Sequence, residues 1–308
     1  MTTQEQAAVA TLRGHVARLL GVPVTGWRPV SGGWSVALKG VVELAGGRTV
    51  FAKLGDIPDT MAALRAECGV YELLSAPFVP RLLAADPTVP VLVIEDLSAA
   101  TWPPPWTPEL LAGLDALFAQ LAATRAPAGL QPLGDRVRQL GAWELVAADP
   151  GPLLAAGLVA AGWLDRCLPA LLAAERAAPT AGDRLVHLDV RSDNVCFRGD
   201  GRAMLVDWNG AVAGDPRWDR LLMLPTIQLE GGPPVRELAH HPDPGIVAWL
   251  AGFFAARAGL PPPAGAPRVR GFQRAQLEIA LPWAADLLGL PAPDPPEPVS
   301  RRGGRESA

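Results

Sequence analysis

Lysine is almost missing from this sequence. Of 27 basic residues only Lys39 and Lys53 are lysines, and the rest are arginines. Asparagine is equally scarce, with Asn194 and Asn209 alone in 308 residues. A coding bias toward Arg, Ala, Gly and Pro accounts for the depletion, so the few survivors deserve scrutiny as residues whose chemistry has no substitute. The three cysteines, Cys68, Cys167 and Cys196, are far apart and form no CxxC pair. They read as reduced, cytosolic and structural, and the same spacing argues against zinc. Long apolar runs are absent too: Leu153–Leu164 is too short for a membrane span and runs into Asp165 and Arg166. The amino terminus, Met1–Ala10, is polar and does not read as a secretory signal. A net charge of -4 and the lack of any basic stripe with interleaved aromatics leave no general attraction for nucleic acid.

What is present is globular: 49% of residues are apolar and 19% charged, enough to build a substantial core. Thr3–Leu20 carries apolar residues at helical spacing (Val9, Leu12, Val16, Leu19, Leu20) and stops at Gly21. Trp27–Val30, Ser35–Leu44 and Arg48–Leu54 are rich in strand formers, with Ala45-Gly46-Gly47 as the hairpin turn. Helical spacing returns over Asp59–Ser75, an extended link starts at Pro80, and Val89–Glu95 is a short apolar strand. The Pro- and Trp-rich stretch Ser98–Pro108 marks a hinge. Helices are expected over Pro108–Thr124, Arg136–Ala148, Pro152–Ala177, Pro244–Ala258 and Gln273–Leu288, with strand-like runs in Leu185–Val212. This gives an N-terminal lobe over residues 1–97, a mainly helical lobe over 98–290 and a disordered tail over 291–308. No internal repeat is visible.

The densest polar cluster in an apolar setting runs from Leu185 to Val195 and contains His187, Asp189, Arg191, Asp193 and Asn194. After the turn Gly199-Asp200-Gly201 comes Met204-Leu205-Val206-Asp207-Trp208. Two short strands joined by that turn would set Asn194 and Asp207 side by side. An amide oxygen and a carboxylate are hard ligands suited to magnesium held with phosphate. Asp189 would face the same opening, placed to accept or orient the proton of an attacking hydroxyl.

At these residues the sequence resembles the aminoglycoside phosphotransferase and choline kinase superfamily. His187-x-Asp189-x-x-x-x-Asn194 followed by Val206-Asp207-Trp208 looks like its catalytic and metal loops, and the resemblance runs from about Val24 to Leu290. It implies an α+β, protein-kinase-like two-lobed fold, with a small antiparallel-sheet lobe and a mainly helical large lobe. It implies ATP and Mg2+ as cofactors and a small-molecule hydroxyl as phosphoryl acceptor. Phe51-Ala52-Lys53 looks like the phosphate-binding strand, and Glu67 like the helix glutamate that pairs with its lysine. Ser31, Gly32 and Gly33 resemble the turn over the phosphates, where small residues admit backbone amides to the ligand. Val93-Ile94-Glu95-Asp96-Leu97 resembles the hinge that holds adenine through main-chain groups of Glu95 and Leu97. The resemblance further implies Asp189 as the group that orients the hydroxyl and Arg191 as an aid to the transferred phosphoryl. By the same likeness His187 anchors the loop, Asn194 and Asp207 ligate the metal, and the second acid of Gly214–Asp219 braces the catalytic loop. The sequence departs from the pattern at Asn209, where relatives often carry an acid, at Val36, where an Asn is frequent, and at Leu188, where Gly is common.

The acceptor is less legible. Between Trp208 and Leu290 seven acids face seven arginines, with no surplus of carboxylates for a polycationic antibiotic. A neutral hydroxylated metabolite, an amino alcohol, a sugar or a natural-product intermediate fits as well. Trp102 and Trp106 are candidates to line the substrate cleft, and Glu230-Gly231-Gly232-Pro233 sits where such kinases place substrate loops. Two other readings compete: a non-catalytic nucleotide-binding protein on the same scaffold, and a protein kinase. Retention of Lys53, Asp189, Asn194 and Asp207 opposes the first. Asp207-Trp208-Asn209 in place of Asp-Phe-Gly, and the absence of an Ala-Pro-Glu segment, oppose the second.

Overall fold

The computed structural model describes residues 3–30, 37–86, 88–263 and 266–294. In chain order its helices are α1 (Thr3–Leu20), α2 (Pro58–Leu73), α3 (Pro108–Ala123), α4 (Leu133–Leu140), α5 (Trp143–Ala148), α6 (Gly151–Ala156), α7 (Ala161–Ala177), α8 (Arg217–Leu229), α9 (Val235–Leu238), α10 (Pro244–Ala255) and α11 (Val269–Leu287). Its strands are β1 (Val24–Pro29), β2 (Leu38–Leu44), β3 (Thr49–Leu54), β4 (Leu82–Asp86), β5 (Val91–Glu95), β6 (Arg184–Val186), β7 (Val195–Phe197), β8 (Ala203–Leu205) and β9 (Val212–Gly214). Among the described residues no helix is long and apolar enough to cross a membrane. The expected tail falls almost wholly outside the described residues, as does the glycine-rich turn at Ser31–Gly33.

The chain folds as two compact units. The first comprises Met1–Gln139, Pro179–His241 and Pro263–Val269, and the second Leu140–Ala178, Pro242–Pro262 and Arg270–Ala308. In the first unit a five-stranded antiparallel sheet runs in the order β1-β2-β3-β5-β4. Strand alternation divides its residues between two faces. Val42 and Leu44 of β2, Val50, Ala52 and Leu54 of β3, and Val91 and Val93 of β5 meet Leu12 and Val16 of α1 in one buried cluster. Each valine or leucine of this cluster contributes about 1.5–3 kcal/mol on burial. The intervening residues, Lys39, Val41, Phe51, Lys53 and Ile94, point to the other face and line a cavity. A one-residue slip would exchange the two sets, so the core residues of α1 and the sheet fix which residues reach the cavity. Helix α2 packs against β3, β4 and β5 and buries Leu64, Glu67, Cys68 and Tyr71.

The second unit is helical, with α5, α7 and α10 packed together. Trp143 is fully buried there, its indole N–H donating to the Ala248 carbonyl at 2.7 Å. Gly252 lies against that indole: a Cβ would come within 2.6 Å of the ring, so α10 approaches only because this position has no side chain.

Two expected helices are corrected. Arg136–Ala148 is broken into α4 and α5 at Gly141, and Pro152–Ala177 into α6 and α7 at Gly157, with φ of 65° and 69°. Both glycines adopt the left-handed conformation that ends a helix and that other residues avoid. The link after Pro80 contains the edge strand β4. No helix was expected over Arg217–Leu229, where α8 lies.

Candidate active site

All the described site residues lie in the first unit. Lys53 projects from β3 and is only 9% exposed, while Glu67 projects from α2 and is 2% exposed. The Lys53 Nζ donates to both Glu67 carboxylate oxygens at 2.8 and 3.0 Å, and to Asp207 Oδ1 at 3.3 Å. Burial alone would lower the ammonium pKa, but Glu67 and then Asp207 reverse that and hold Lys53 charged. Burial likewise pushes the Asp207 carboxyl up, and Lys53 more than offsets it, so the group sits below its ordinary value and is ionised.

Asp207 and Asn194 come together through the β7–β8 hairpin. The ladder pairs Val195 with Leu205, and the Val206 N–H continues it by donating to the Asn194 carbonyl at 2.9 Å. Asp207 itself is left-handed, with φ of 68°, and starts the single 3-10 turn Trp208–Gly210. Trp208 is fully buried under this turn, its indole N–H on the Leu205 carbonyl and its ring 4.6 Å from His187 in an edge contact. Asn209, exposed, donates to Asp207 Oδ1 at 3.2 Å.

His187 is fully buried. Its Nδ1 accepts the Asp189 N–H at 3.2 Å, so Nε2 carries the proton and donates to the Val206 carbonyl at 2.9 Å. Burial lowers its pKa to about 4. The ring is therefore a neutral strut with both nitrogens occupied. The two N–H groups at the start of the loop, of His187 and Leu188, donate to the two oxygens of Asp219 at 2.8 and 2.7 Å. Asp219 opens α8 and has no exposure, and burial pushes its carboxyl up to about 7 against the pull of those donors.

Asp189 is half-buried at the loop. Its Oδ1 is ion-paired with Arg191 Nη1 and its Oδ2 accepts from Asn194 Nδ2 at 3.2 Å. Burial pushes this carboxyl up to about 6, with Arg191 opposing and Asp207 and Asp193 assisting. Arg191 is gripped on its other side by Asp193, through Nε at 2.9 Å and Nη2 at 3.2 Å. Leu188, between His187 and Asp189, has φ of 66°. A left-handed residue with a Cβ costs about 1–2 kcal/mol. At an ordinary position glycine is less stable than alanine. Here we expect Leu188→Gly to be more stable than Leu188→Ala by about 1 kcal/mol in chemical denaturation, because both variants lose the side chain and only glycine escapes the strain.

Lys53, Asn194 and Asp207 line one cavity of about 560 Å³, together with the hinge residues Glu95 and Leu97. The Glu95 carboxylate is committed elsewhere, accepting the Arg81 N–H at 2.9 Å and pairing with Arg198 at 2.6 Å, and the Glu95 N–H donates to the Arg81 carbonyl at 3.0 Å. The Leu97 carbonyl accepts from the Trp102 indole at 3.3 Å, and Trp102 walls the cavity.

Sequence reasoning gave Lys39 no role. It pairs with Lys53 across β2 and β3, so both of the chain's lysines face the same cavity. Burial, then the Lys53 charge, lowers its pKa. The signal was available: a hairpin closing at Gly46 opposes residues whose numbers sum to 92, which pairs 39 with 53. Asp193 and Glu230 were noted in the sequence without a role, and their contacts with Arg191, Ser192 and Trp106 come from the structure.

As a magnesium site the donor set fits. Asp207 is an ionised carboxylate, the Asn194 side chain spends its N–H on Asp189 and so turns its oxygen elsewhere, and both line the cavity. Two hard oxygens leave the remaining octahedral positions to phosphate and water, the usual division for this ion.

A model of the phosphotransferase enzyme family (APH) matches residues 26–272. Choline kinase LicA from Streptococcus pneumoniae is 14% identical with a TM-score of 0.61, over 90% of this chain and 99% of that one. Macrolide 2'-phosphotransferase MphH from Brachybacterium faecium is 19% identical with a TM-score of 0.53, over 95% and 99%. A thermostable mutant of aminoglycoside phosphotransferase APH(4)-Ia, solved as a ternary complex with ADP and hygromycin B, is 15% identical with a TM-score of 0.56, over 90% and 97%. No curated protein sequence gave a match. The fold is thus protein-kinase-like, with a small antiparallel-sheet lobe and a mainly helical remainder, and the chain belongs to the phosphotransferase enzyme family.

Proposed function

We propose that this protein is a cytoplasmic, ATP- and magnesium-dependent phosphotransferase that moves a γ-phosphoryl group to a hydroxyl of a small molecule. The observation that carries this reading is the convergence of Lys53, Glu67 and Asp207 in one ion-paired cluster, with Asn194 beside it in the same cavity. In this reading Lys53 and Lys39 meet the phosphates, with Glu67 holding the Lys53 ammonium in place. Asp207 and Asn194 hold magnesium, which supplies neutralisation of phosphate charge when bound. Main-chain groups of Glu95 and Leu97 receive the base. Asp189 accepts the proton of the acceptor hydroxyl as its oxygen bonds to the γ-phosphorus and the bond to the β-phosphate oxygen breaks. Arg191, already at Asp189, is near enough to share the charge of the transferred group. His187, neutral and saturated with hydrogen bonds, holds the loop.

The acceptor is a small hydroxylated molecule, and the test is ATP consumption against a panel of amino alcohols, sugars, aminoglycosides and other natural products. Consumption should require both an acceptor and magnesium. A protein that binds ATP yet turns over none of the panel, while phosphorylating protein mixtures, would sink the reading. The pH profile offers a sharper check. Asp189 works ionised and titrates near 6, so kcat/KM should hold above that value and fall as pH drops through it. Arg191 is the cation that opposes protonation of Asp189. Arg191→Met should therefore move the acid limb to higher pH as well as lowering the plateau. An unmoved limb would remove Asp189 from its role as base.

A further inference from the structure

Glu230 follows the last residue of α8, far from the catalytic loop in sequence, yet its carboxylate joins two other segments. Its Oε2 accepts the Trp106 indole N–H at 2.8 Å, and its Oε1 accepts the Ser192 hydroxyl at 2.5 Å. Ser192 is 8% exposed and is a central residue of a tight turn, closed by the Asn194 N–H on the Arg191 carbonyl at 2.9 Å. The two ends of that turn carry Arg191, which pairs with Asp189, and Asn194, which lines the cavity. Trp106 stands at the end of the connection that follows the hinge, one residue before Thr107 caps α3. The loop after Glu230 is seated on the same tryptophan: a Cβ at Gly232 would lie 2.5 Å from Ile227 and 3.4 Å from Trp106. Among the described residues no cation pairs with Glu230, so its bonds are those to two neutral donors.

We propose that Glu230 is a positioning residue for phosphoryl transfer: by holding Ser192 and Trp106 together it pins the turn that presents Arg191 and Asn194. The proposal rests on the function argued above. A turn fixed only by its own backbone bond could rock about its ends, and in the function argued above one end bears Arg191 for the transferred phosphoryl and the other Asn194 for magnesium. Misplacement by about 1 Å can cost on the order of a hundredfold in rate.

The chemistry of the three partners supplies the test. An indole N–H only donates, whereas a serine hydroxyl donates or accepts. Glutamine at 230 can therefore accept from Trp106 through its carbonyl and donate to Ser192 through its amide, keeping both links without the charge. Alanine keeps neither. With an acceptor from the panel, Glu230→Ala should lower kcat by roughly tenfold to a hundredfold while KM for ATP stays near wild type. Glu230→Gln should retain most of kcat. A second readout does not need turnover: the Trp106 indole N–H resonance, identified by its disappearance in Trp106→Phe, should be protected from hydrogen exchange in wild type and Glu230→Gln and exposed in Glu230→Ala. Wild-type kcat in Glu230→Ala would overturn the proposal. So would a Glu230→Gln variant as impaired as the alanine one, since the charge itself would then be meeting the substrate. If the wild type consumes no ATP with any acceptor, the phosphotransferase reading fails and this role fails with it, and the exchange pattern alone shows whether the tether exists.

Discussion

Replacing Lys53 by methionine is expected to lower kcat/KM for phosphoryl transfer at least roughly a thousandfold, the scale on which a preorganised cation acts on a transferring phosphoryl group. The same substitution should also weaken the fold, for a reason separable from catalysis. Glu67 is 2% exposed and both its oxygens are on Lys53. Removing one partner of a buried pair costs about 3–5 kcal/mol, less whatever the stranded carboxyl recovers by taking up a proton. The double variant Lys53→Met, Glu67→Leu removes the charge stranded on Glu67 and fills its space, leaving only the more exposed Asp207 without its Lys53 partner, so it should melt well above the single variant while remaining inactive. Melting curves and ATP-consumption assays on the two variants read both effects. Activity in the stable double variant would show that the cation is not part of the chemistry. An unaffected melting point in the single variant would show that the pair is solvated rather than buried.

Much of this was legible in the sequence because the signals were local. Helix α1 was expected over Thr3–Leu20 and occupies those residues, since its apolar stripe at Val9, Leu12 and Val16 has one face to bury. The β2–β3 hairpin follows from alternation and a glycine turn. The His187 to Asp207 block was recognisable because its two strands, its turn and its polar residues lie within one short stretch. Helix α8 was not legible for an equally physical reason. It buries Trp218, Asp219, Leu221, Met223, Leu224, Pro225, Thr226 and Ile227, so it shows no polar face to set the period, and Pro225 sits in its interior. The breaks at Gly141 and Gly157 were missed because an isolated glycine within an apolar pattern reads as a tolerated helix residue until its backbone angle is known.

What the sequence conceals about the site is pairing across distance. Lys53 and Asp207 are 154 residues apart, and Glu230 and Trp106 are 124 apart. Each residue alone has an ordinary reading as a solvated charge or a packing aromatic. Lys39 is the instructive case, because its scarcity flagged it and only the strand register gave it a direction. The departures from the family pattern acquire reasons in the same way. Leu188 is tolerated where glycine is common because its N–H is held by Asp219, which fixes the left-handed backbone against its strain. Asn209 turns its amide to Asp207 and so adds a donor where relatives place a negative charge.

Asp219→Ala should therefore damage stability and catalysis together. The carboxylate is fully buried and takes the N–H groups of His187 and Leu188, one on each oxygen. Alanine leaves both donors unsatisfied in a site that water does not reach, at about 1–3 kcal/mol each, and opens a small void beside them. A loss of about 2–5 kcal/mol in chemical denaturation is the expected result. The catalytic consequence comes through geometry. With Asp219 gone, the Leu188 N–H loses the bond that holds its φ of 66°, and Asp189 is the next residue. A rotation there moves the Asp189 carboxylate away from Arg191 and Asn194, so kcat should fall by roughly a hundredfold or more. Adding Leu188→Gly to Asp219→Ala separates the two causes. Glycine rests in the left-handed region without strain, so the double variant should recover part of the lost rate if backbone relaxation is what displaces Asp189. It should recover none if Asp219 acts on the reaction through its charge. Wild-type stability and rate in Asp219→Ala itself would mean that the loop holds its shape without this brace, and the account of how Asp189 is aimed would have to be abandoned.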